Sequence, residues 1–308
     1  MGAMEGRIIV TGGTGFIGRA LCPRLAERGY EMIVLSRDPS CYPRLAASDV
    51  RLERWDGRTT QGWGRLIEGA YALINLAGAN IAGRRWNESY KQLLRESRLD
   101  AGRALVEAVR NAEQKPKVLI QASAVGYYGP QEDEILTEDS PPGEGFLARL
   151  AVDWEGSTAA VEGLGVRRVV GRIGVVLERD GGMLARLLPP FRIFLGGPLG
   201  GGRQWLSFIH REDLIEALIL LMEDESASGP FNLTAPEPVR MREFAQKLGK
   251  ALRRPAWLPI PTPLLRLALG EGAGSVTRGQ RAIPKRLQEL GYRFRYPTVE
   301  AALGAIFG

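Results

Sequence analysis

A doubly wound α/β fold, with helices on both faces of a parallel sheet, is the architecture this sequence predicts. Three observations point to it. Short apolar, β-branched runs alternate with amphipathic helical segments along most of the chain. Three glycines at G-x-x-G-x-x-G spacing, Gly12, Gly15 and Gly18, separate the first such run from the first helix. Polar and glycine-rich stretches repeatedly follow the C-terminal ends of the runs, the edge where open parallel sheets hold ligands.

In chain order, Arg7–Thr11 (RIIVT) reads as a buried strand. Leu21, Leu25 and Ala26 recur at helical spacing until Gly29 stops the helix. Glu31–Ser36 (EMIVLS) is a second strand, Arg51–Trp55 a short third, and Ala72–Leu76 (ALINL) a fourth. Asn80–Arg98 opens as a loop and becomes a helix that continues to about Ala112. Val118–Ala122 is the next strand, with Ser123 at its end. Gln131–Gly145 reads as an acidic surface loop, Phe146–Glu162 as a helix, and Val166–Val170 and GVVLE as strands around Arg172. Residues 180–204 turn to Gly, Pro and apolar residues, the composition of an arm over a site. Ser207–His210 and Leu214–Met222 return to strand and helix. Phe231–Thr234 is a short strand, Val239–Leu252 a helix, and Pro255–Leu269 extended and then helical. Two short helices flank YRFRYP in the tail. Residues 4–178, with 206–225 returning to them, are expected as one domain; 179–205 and 226–308 form a smaller interleaved C-terminal α/β lobe.

Composition narrows the function classes. At 44% hydrophobic and 25% charged, the 308 residues are ordinary for a globular protein. The net charge of +6 is spread out, without the dense basic run or aromatic ladder of a nucleic-acid binder. Cys22 and Cys41 form no metal or disulfide pattern, which suits a reducing cytoplasm, and one histidine with two distant cysteines makes no zinc site. The longest apolar run is too short to span a bilayer, and no signal peptide is recognisable. Met1–Ala3, ahead of Met4, reads as an expression remnant. The expected partner is a small molecule, with no nucleic acid and no membrane, for a monomer or homodimer.

The glycine triplet has a mechanical reading. One glycine permits the tight turn, one lets backbone approach a pyrophosphate, and one packs helix against sheet, while the helix N-terminus attracts the phosphates. At the end of the second strand, where NAD-specific folds carry a carboxylate, stand Ser36 and Arg37. A hydroxyl and a guanidinium suit a 2′-phosphate, so NADP(H) is expected rather than NAD(H); the alternative is an exposed loop arginine. Asp56 is placed to reach an adenine amino group, and the small Ala77-Gly78 pair to let backbone pass beneath pyrophosphate and ribose.

These features resemble the extended, sugar-nucleotide-epimerase-like branch of the short-chain dehydrogenase/reductase superfamily, with its Rossmann fold. The residues are TGGTGFIG at 11–18, SAVGYYG at 123–129 and FIHREDL at 208–214. NLAGANIAGRRW at 75–86, ESR at 96–98, DWE at 153–155, RIGVVL at 172–177 and GGPLGGGRQW are similar to one atypical subfamily, the epimerase-family oxidoreductases related to the E. coli YfcH protein. The resemblance implies an NADP(H)-dependent oxidoreductase or epimerase-like enzyme on a carbonyl or sugar-nucleotide-like substrate. It implies that Thr11–Gly18, including Thr14, Phe16 and Ile17, cradles the pyrophosphate. Leu76, Ala77 and Gly78 would line the adenosine side, Arg98 and Ser123 would reach the cofactor, and Gly174–Val176 would border the nicotinamide.

One inheritance is missing. Dehydrogenases of this superfamily use a Tyr-x-x-x-Lys pair to exchange a proton with substrate. None of the eight tyrosines has a lysine four residues on, and the pair's expected place holds Leu147 and Ala151. Arg98 replaces the supporting Asn. Ser123, Tyr127 and Arg98 are the candidate catalytic residues, with Tyr128, the sole histidine His210, Asp153 and Glu155 as further polar groups. Each has a plain alternative as loop packing, junction support or solvated helix face. A catalytically lapsed NADP(H)-binding scaffold or redox sensor is the competing function.

Overall fold

The computed structural model describes residues 6–42, 45 and 50–308; Met1–Ala3 and Met4 lie outside the described residues. The strands are β1 (Arg7–Thr11), β2 (Glu31–Ser36), β3 (Val50–Arg54), β4 (Ala72–Asn75), β5 (Val118–Ala124), β6 (Ile135–Leu136) and β7 (Arg167–Ile173). They continue with β8 (Val175–Leu177), β9 (Trp205–Leu206), β10 (Phe208–His210), β11 (Gly229–Leu233), β12 (Val239–Arg240) and β13 (Arg281–Ala282). Seven of them form one sheet in the order β11-β7-β5-β4-β1-β2-β3, with every pairing parallel. The order reverses between β1 and β4, which opens a crevice beyond their C-terminal ends.

Alternation along the strands builds two cores, as expected where both sheet faces are covered. Ile8 and Val10 face α1 (Gly18–Glu27), while Ile9 and Leu73 face the long helix α2 (Glu88–Asn111). At the switch point a buried polar ladder ties three strand ends together. Thr11 Oγ1 donates to Asn75 Oδ1 at 2.6 Å, and Asn75 Nδ2 donates to Gln121 Oε1 at 2.9 Å. Such groups are tolerated without water because each finds a partner.

The remaining helices of five or more residues among the described residues are α3 (Phe146–Gly156), α4 (Gly182–Arg192), α5 (Arg211–Glu223), α6 (Met241–Leu252), α7 (Thr262–Leu269), α8 (Lys285–Glu289) and α9 (Val299–Phe307). A third core joins Leu184, Leu187 and Phe191 of α4 to Phe244 and Leu248 of α6 and Leu303 of α9.

Several local expectations are corrected. The 180–204 stretch is not irregular throughout: its first part is α4, because Leu184, Leu187, Leu188 and Phe191 share a buried stripe and its prolines fall in the last turns. The Phe146–Glu162 helix stops at Gly156 and resumes as a 3₁₀ segment, Ala159–Leu164. The acidic loop at 131–145 contains β6, which pairs with β13. Strand β11, placed by sequence in the C-terminal lobe, adds to the edge of the main sheet beside β7. Strand β10 pairs with β8 outside that sheet.

Candidate functional site

The turn leaving β1 is shaped for close backbone approach. Gly12 sits at φ +68°, and a Cβ there would fall 2.5 Å from the Leu76 carbonyl oxygen; at Gly18 it would fall 2.3 Å from Gly13 Cα. Only glycine fits either position. Gly15 N–H closes the turn on the Gly12 carbonyl. The N–H groups of Phe16, Ile17 and Gly18 donate to no backbone carbonyl among the described residues, and no acid stands in the first turn of α1. Thr14 lies within this turn, whose free donors and helix dipole form an anion cradle.

At the end of β2, Ser36 is buried and its Oγ accepts the Asp38 N–H at 3.3 Å. Arg37 is exposed and makes no hydrogen bond or ion pair among the described residues. The nearby Asp38 carboxylate is turned to Ser40 Oγ (2.6 Å) and Cys41 Sγ (3.1 Å), bonds that hold it below the usual carboxylate range. Asp56 accepts from the Arg58 and Thr59 N–H groups and from Thr59 Oγ1, so its carboxylate organises its own loop.

Beyond the switch point lies a cavity of about 720 Å³ between the strand ends and the C-terminal segments. Ala124 at the end of β5 and Val125 after it, Gly174 and Val175 after β7, and Leu147 and Ala151 on α3 line it. Its wall contains no Tyr, Lys or His among the described residues. Val176 instead packs against the main core. Arg98, reaching from α2, is 6% exposed, stacks 4.7 Å from the Trp154 ring, and lies against Gly78. Its Nη1 donates to the carbonyls of Leu94 and Ala79, but it has no carboxylate partner. Burial pulls its pKa down to about 10, so it stays charged at neutral pH. Arg98 Nε and Trp154 Nε1 are buried donors without a hydrogen-bond partner, and both side chains line the cavity. Two orphan donors at one wall are what an acceptor-rich ligand would satisfy.

Ser123 does not line the cavity. Alternation along β5 sends Ala124 into it and Ser123 beneath its floor, where Ser123 Oγ donates to Glu155 Oε1 at 2.6 Å. Glu155 is gripped by Arg172 through two bonds, 3.0 and 3.1 Å, the arginine buried and the carboxylate 14% exposed. Arg172 also donates to Tyr128 Oη at 3.1 Å and stacks 3.5 Å from the Tyr127 ring. Tyr128 Oη donates to Asn232 Oδ1, and burial pushes its pKa up to about 12. Thus Ser123, Tyr127 and Tyr128 meet in one network under the site, while Arg98 alone of the three candidate catalytic residues reaches the cavity. Asp153 pairs with Arg95 on the outer surface. His210 caps α5 by accepting the Glu212 N–H at Nδ1 and stacks 4.0 Å from Tyr296. Trp86, Trp154, Met183 and Arg278 are cavity residues the sequence reading did not single out. The strand alternation at Ser123-Ala124 was the one available signal; the others come from distant segments.

A glycine cradle at the switch point of a parallel sheet, with an apolar cavity beyond it, defines a nucleotide-binding doubly wound protein. Residues 8–234 match the model of the NAD dependent epimerase/dehydratase family, and 260–306 match a domain of unknown function, DUF1731. The chloroplastic SDR39U1 homolog of Arabidopsis thaliana is 41% identical, covering 97% of this chain and 86% of its own. YfhF of Bacillus subtilis is 39% identical over 97% of both chains. A crystal structure of human SDR39U1 (isoform 2) with NADPH superposes with a TM-score of 0.89 at 37% identity, covering 97% of this chain and 98% of that one. This chain belongs to the NAD dependent epimerase/dehydratase family and is an atypical extended member of it, similar to SDR39U1. No helix among the described residues is long and apolar enough to cross a membrane.

Proposed function

We propose that the chain is an NADP(H)-binding oxidoreductase or epimerase-like enzyme acting on a carbonyl compound without the Tyr/Lys proton relay. The observation that carries the cofactor assignment is the free-amide turn at 16–18, with the unpaired Arg37 at the end of β2. The turn would hold the pyrophosphate, and Arg37 with Ser36 the 2′-phosphate. Leu76, Ala77 and Gly78 would lie along the dinucleotide, with Asp56 at the adenine end and Gly174 and Val175 at the nicotinamide end. Arg98 Nε and Trp154 Nε1 would take oxygen acceptors near Gly78. The NADPH bound to human SDR39U1 supports this assignment.

Bound NADPH would supply a hydride to the carbonyl carbon, and a proton must reach the oxygen to give the alcohol. Leu147 and Ala151 cannot transfer one, and Arg98 remains protonated, so it can stabilise negative charge on oxygen without acting as a base. Ser123, held by Glu155, would support the floor. Solvent at the cavity mouth is then the proton source. The same lack of a Tyr, Lys or His at the wall favours the second reading, a lapsed scaffold that senses NADP⁺ against NADPH. Oxidation of bound NADPH by a panel of carbonyl compounds would support the enzyme. An unchanged hydride content, with a partner whose affinity follows the redox state, would support the sensor.

Arg37→Ala should weaken NADPH binding by about ten- to a hundredfold, the worth of charge-assisted hydrogen bonds, and spare NADH. Fluorescence titration of both cofactors reads this directly. Equal losses would remove the 2′-phosphate contact.

A further inference from the structure

The cavity wall is poor in groups able to recognise a sugar. Inward-facing side chains such as Trp86, Phe146, Leu147, Leu150, Met183 and Met241 are apolar. Most of the neutral polar ones are already engaged; Arg98 Nε, Trp154 Nε1 and the Glu144 carboxylate are exceptions among the described residues. Gln204 Nε2 donates to the Leu199 and Val276 carbonyls, and Ser207 Oγ to those of Gln280 and Ala282. Gln280 Nε2 donates to Gly129 O, Ser275 Oγ to Gly272 O, and Asn80 Oδ1 accepts from Ala82 N. A hexose ring buried there would leave hydroxyls unpaired, each a net cost.

Next to the cavity is a second cleft of about 780 Å³, and Trp86, Glu271, Gly274 and Arg278 line both. Arg85, Arg266 and Arg278 line this cleft, and none has a carboxylate partner among the described residues. Its one acid, Glu271, is paired with Lys91 at 2.9 Å. Three unpaired guanidiniums beside an apolar chamber form a receptor for an oxyanion.

We infer that the ligand of this site is an amphiphile, with an apolar body in the cavity and a carboxylate or phosphate head on the arginines of the cleft. The inference rests on the reading above for the carbonyl chemistry, but its binding test is independent of it. Calorimetry on the full chain, with and without NADPH, compares decanoate, decyl phosphate, 1-decanol and UDP-glucose. One of the charged ten-carbon probes is expected to bind at least tenfold more tightly than decanol, and the better of the two identifies the head. Arg278→Ala, an exposed position, should weaken that probe about tenfold and leave decanol unchanged. Leu147→Asn should weaken every ten-carbon probe. Circular dichroism checks that each variant is folded. Tighter binding of UDP-glucose, equal binding of decanol and the charged probes, or no binding of any amphiphile overturns the inference. Amphiphile binding by a chain that binds no NADPH would sink only the cofactor assignment; NADPH binding without amphiphile binding would sink only this one.

Discussion

Arg172 shows how a single residue sets what its neighbours can do. Its two bonds to Glu155 pair a buried guanidinium with a largely covered carboxylate, and Ser123 then completes that carboxylate's shell. Glu155→Ala leaves the guanidinium without its counter-charge and should cost about 3–5 kcal/mol in urea denaturation, with Glu155→Gln costing less. His210 acts through the proton it does not carry. Burial, opposed by Glu178, Glu212 and Asp213 and aided by Arg211, lowers its pKa below the ordinary 6.5. The unfolded chain therefore binds the proton more readily, and His210 contributes stability above pH 6.5 that is lost as pH falls through its folded value. His210→Asn, which keeps an acceptor for the Glu212 N–H, should flatten the decline in melting temperature below that pH.

Among the elements, α2 has the widest influence on the site. It packs Ala101, Leu105 and Val109 on the sheet and delivers Arg98 to the cavity one side-chain layer above. Its start is set by Asn87, whose Oδ1 accepts the Tyr90 N–H at 2.8 Å. Asn87→Ala should cost about 1 kcal/mol of stability in denaturant titration, the usual worth of such a cap. Helix α1 works differently: its N-terminus is left open, because the donors at 16–18 face the crevice instead of a side chain. Stability is concentrated at one helix end and withheld at the other.

Over the whole molecule, the C-terminal segment is fastened to the sheet's covering helix by one buried carboxylate. Asp213 of α5 accepts the N–H groups of Arg295 (2.8 Å) and Tyr296 (2.9 Å) and the Tyr292 hydroxyl (3.2 Å). Asp213→Ala would orphan those donors, at a cost on the order of 3 kcal/mol. It should also speed tryptic cleavage after Arg293 and Arg295, while distant sites keep their rates. The tail thereby stays near the walls of the cavity and cleft, which α4, α6 and residues 271–280 complete.

Read alone, the amino-acid order determined the parallel sheet, its strand positions and the glycine turn. Those features rest on short-range periodicity and on backbone conformations that a few neighbouring residues decide. The absence of a Tyr/Lys pair was equally plain, being a matter of spacing. Tertiary structure alone decided that Ser123 faces Glu155 while Ala124 faces the cavity, and that 182–192 is helical. It alone brought Arg85, Arg266 and Arg278 to one cleft. Those outcomes depend on which distant segments pack together, and burial, unlike periodicity, is a property of the assembled chain.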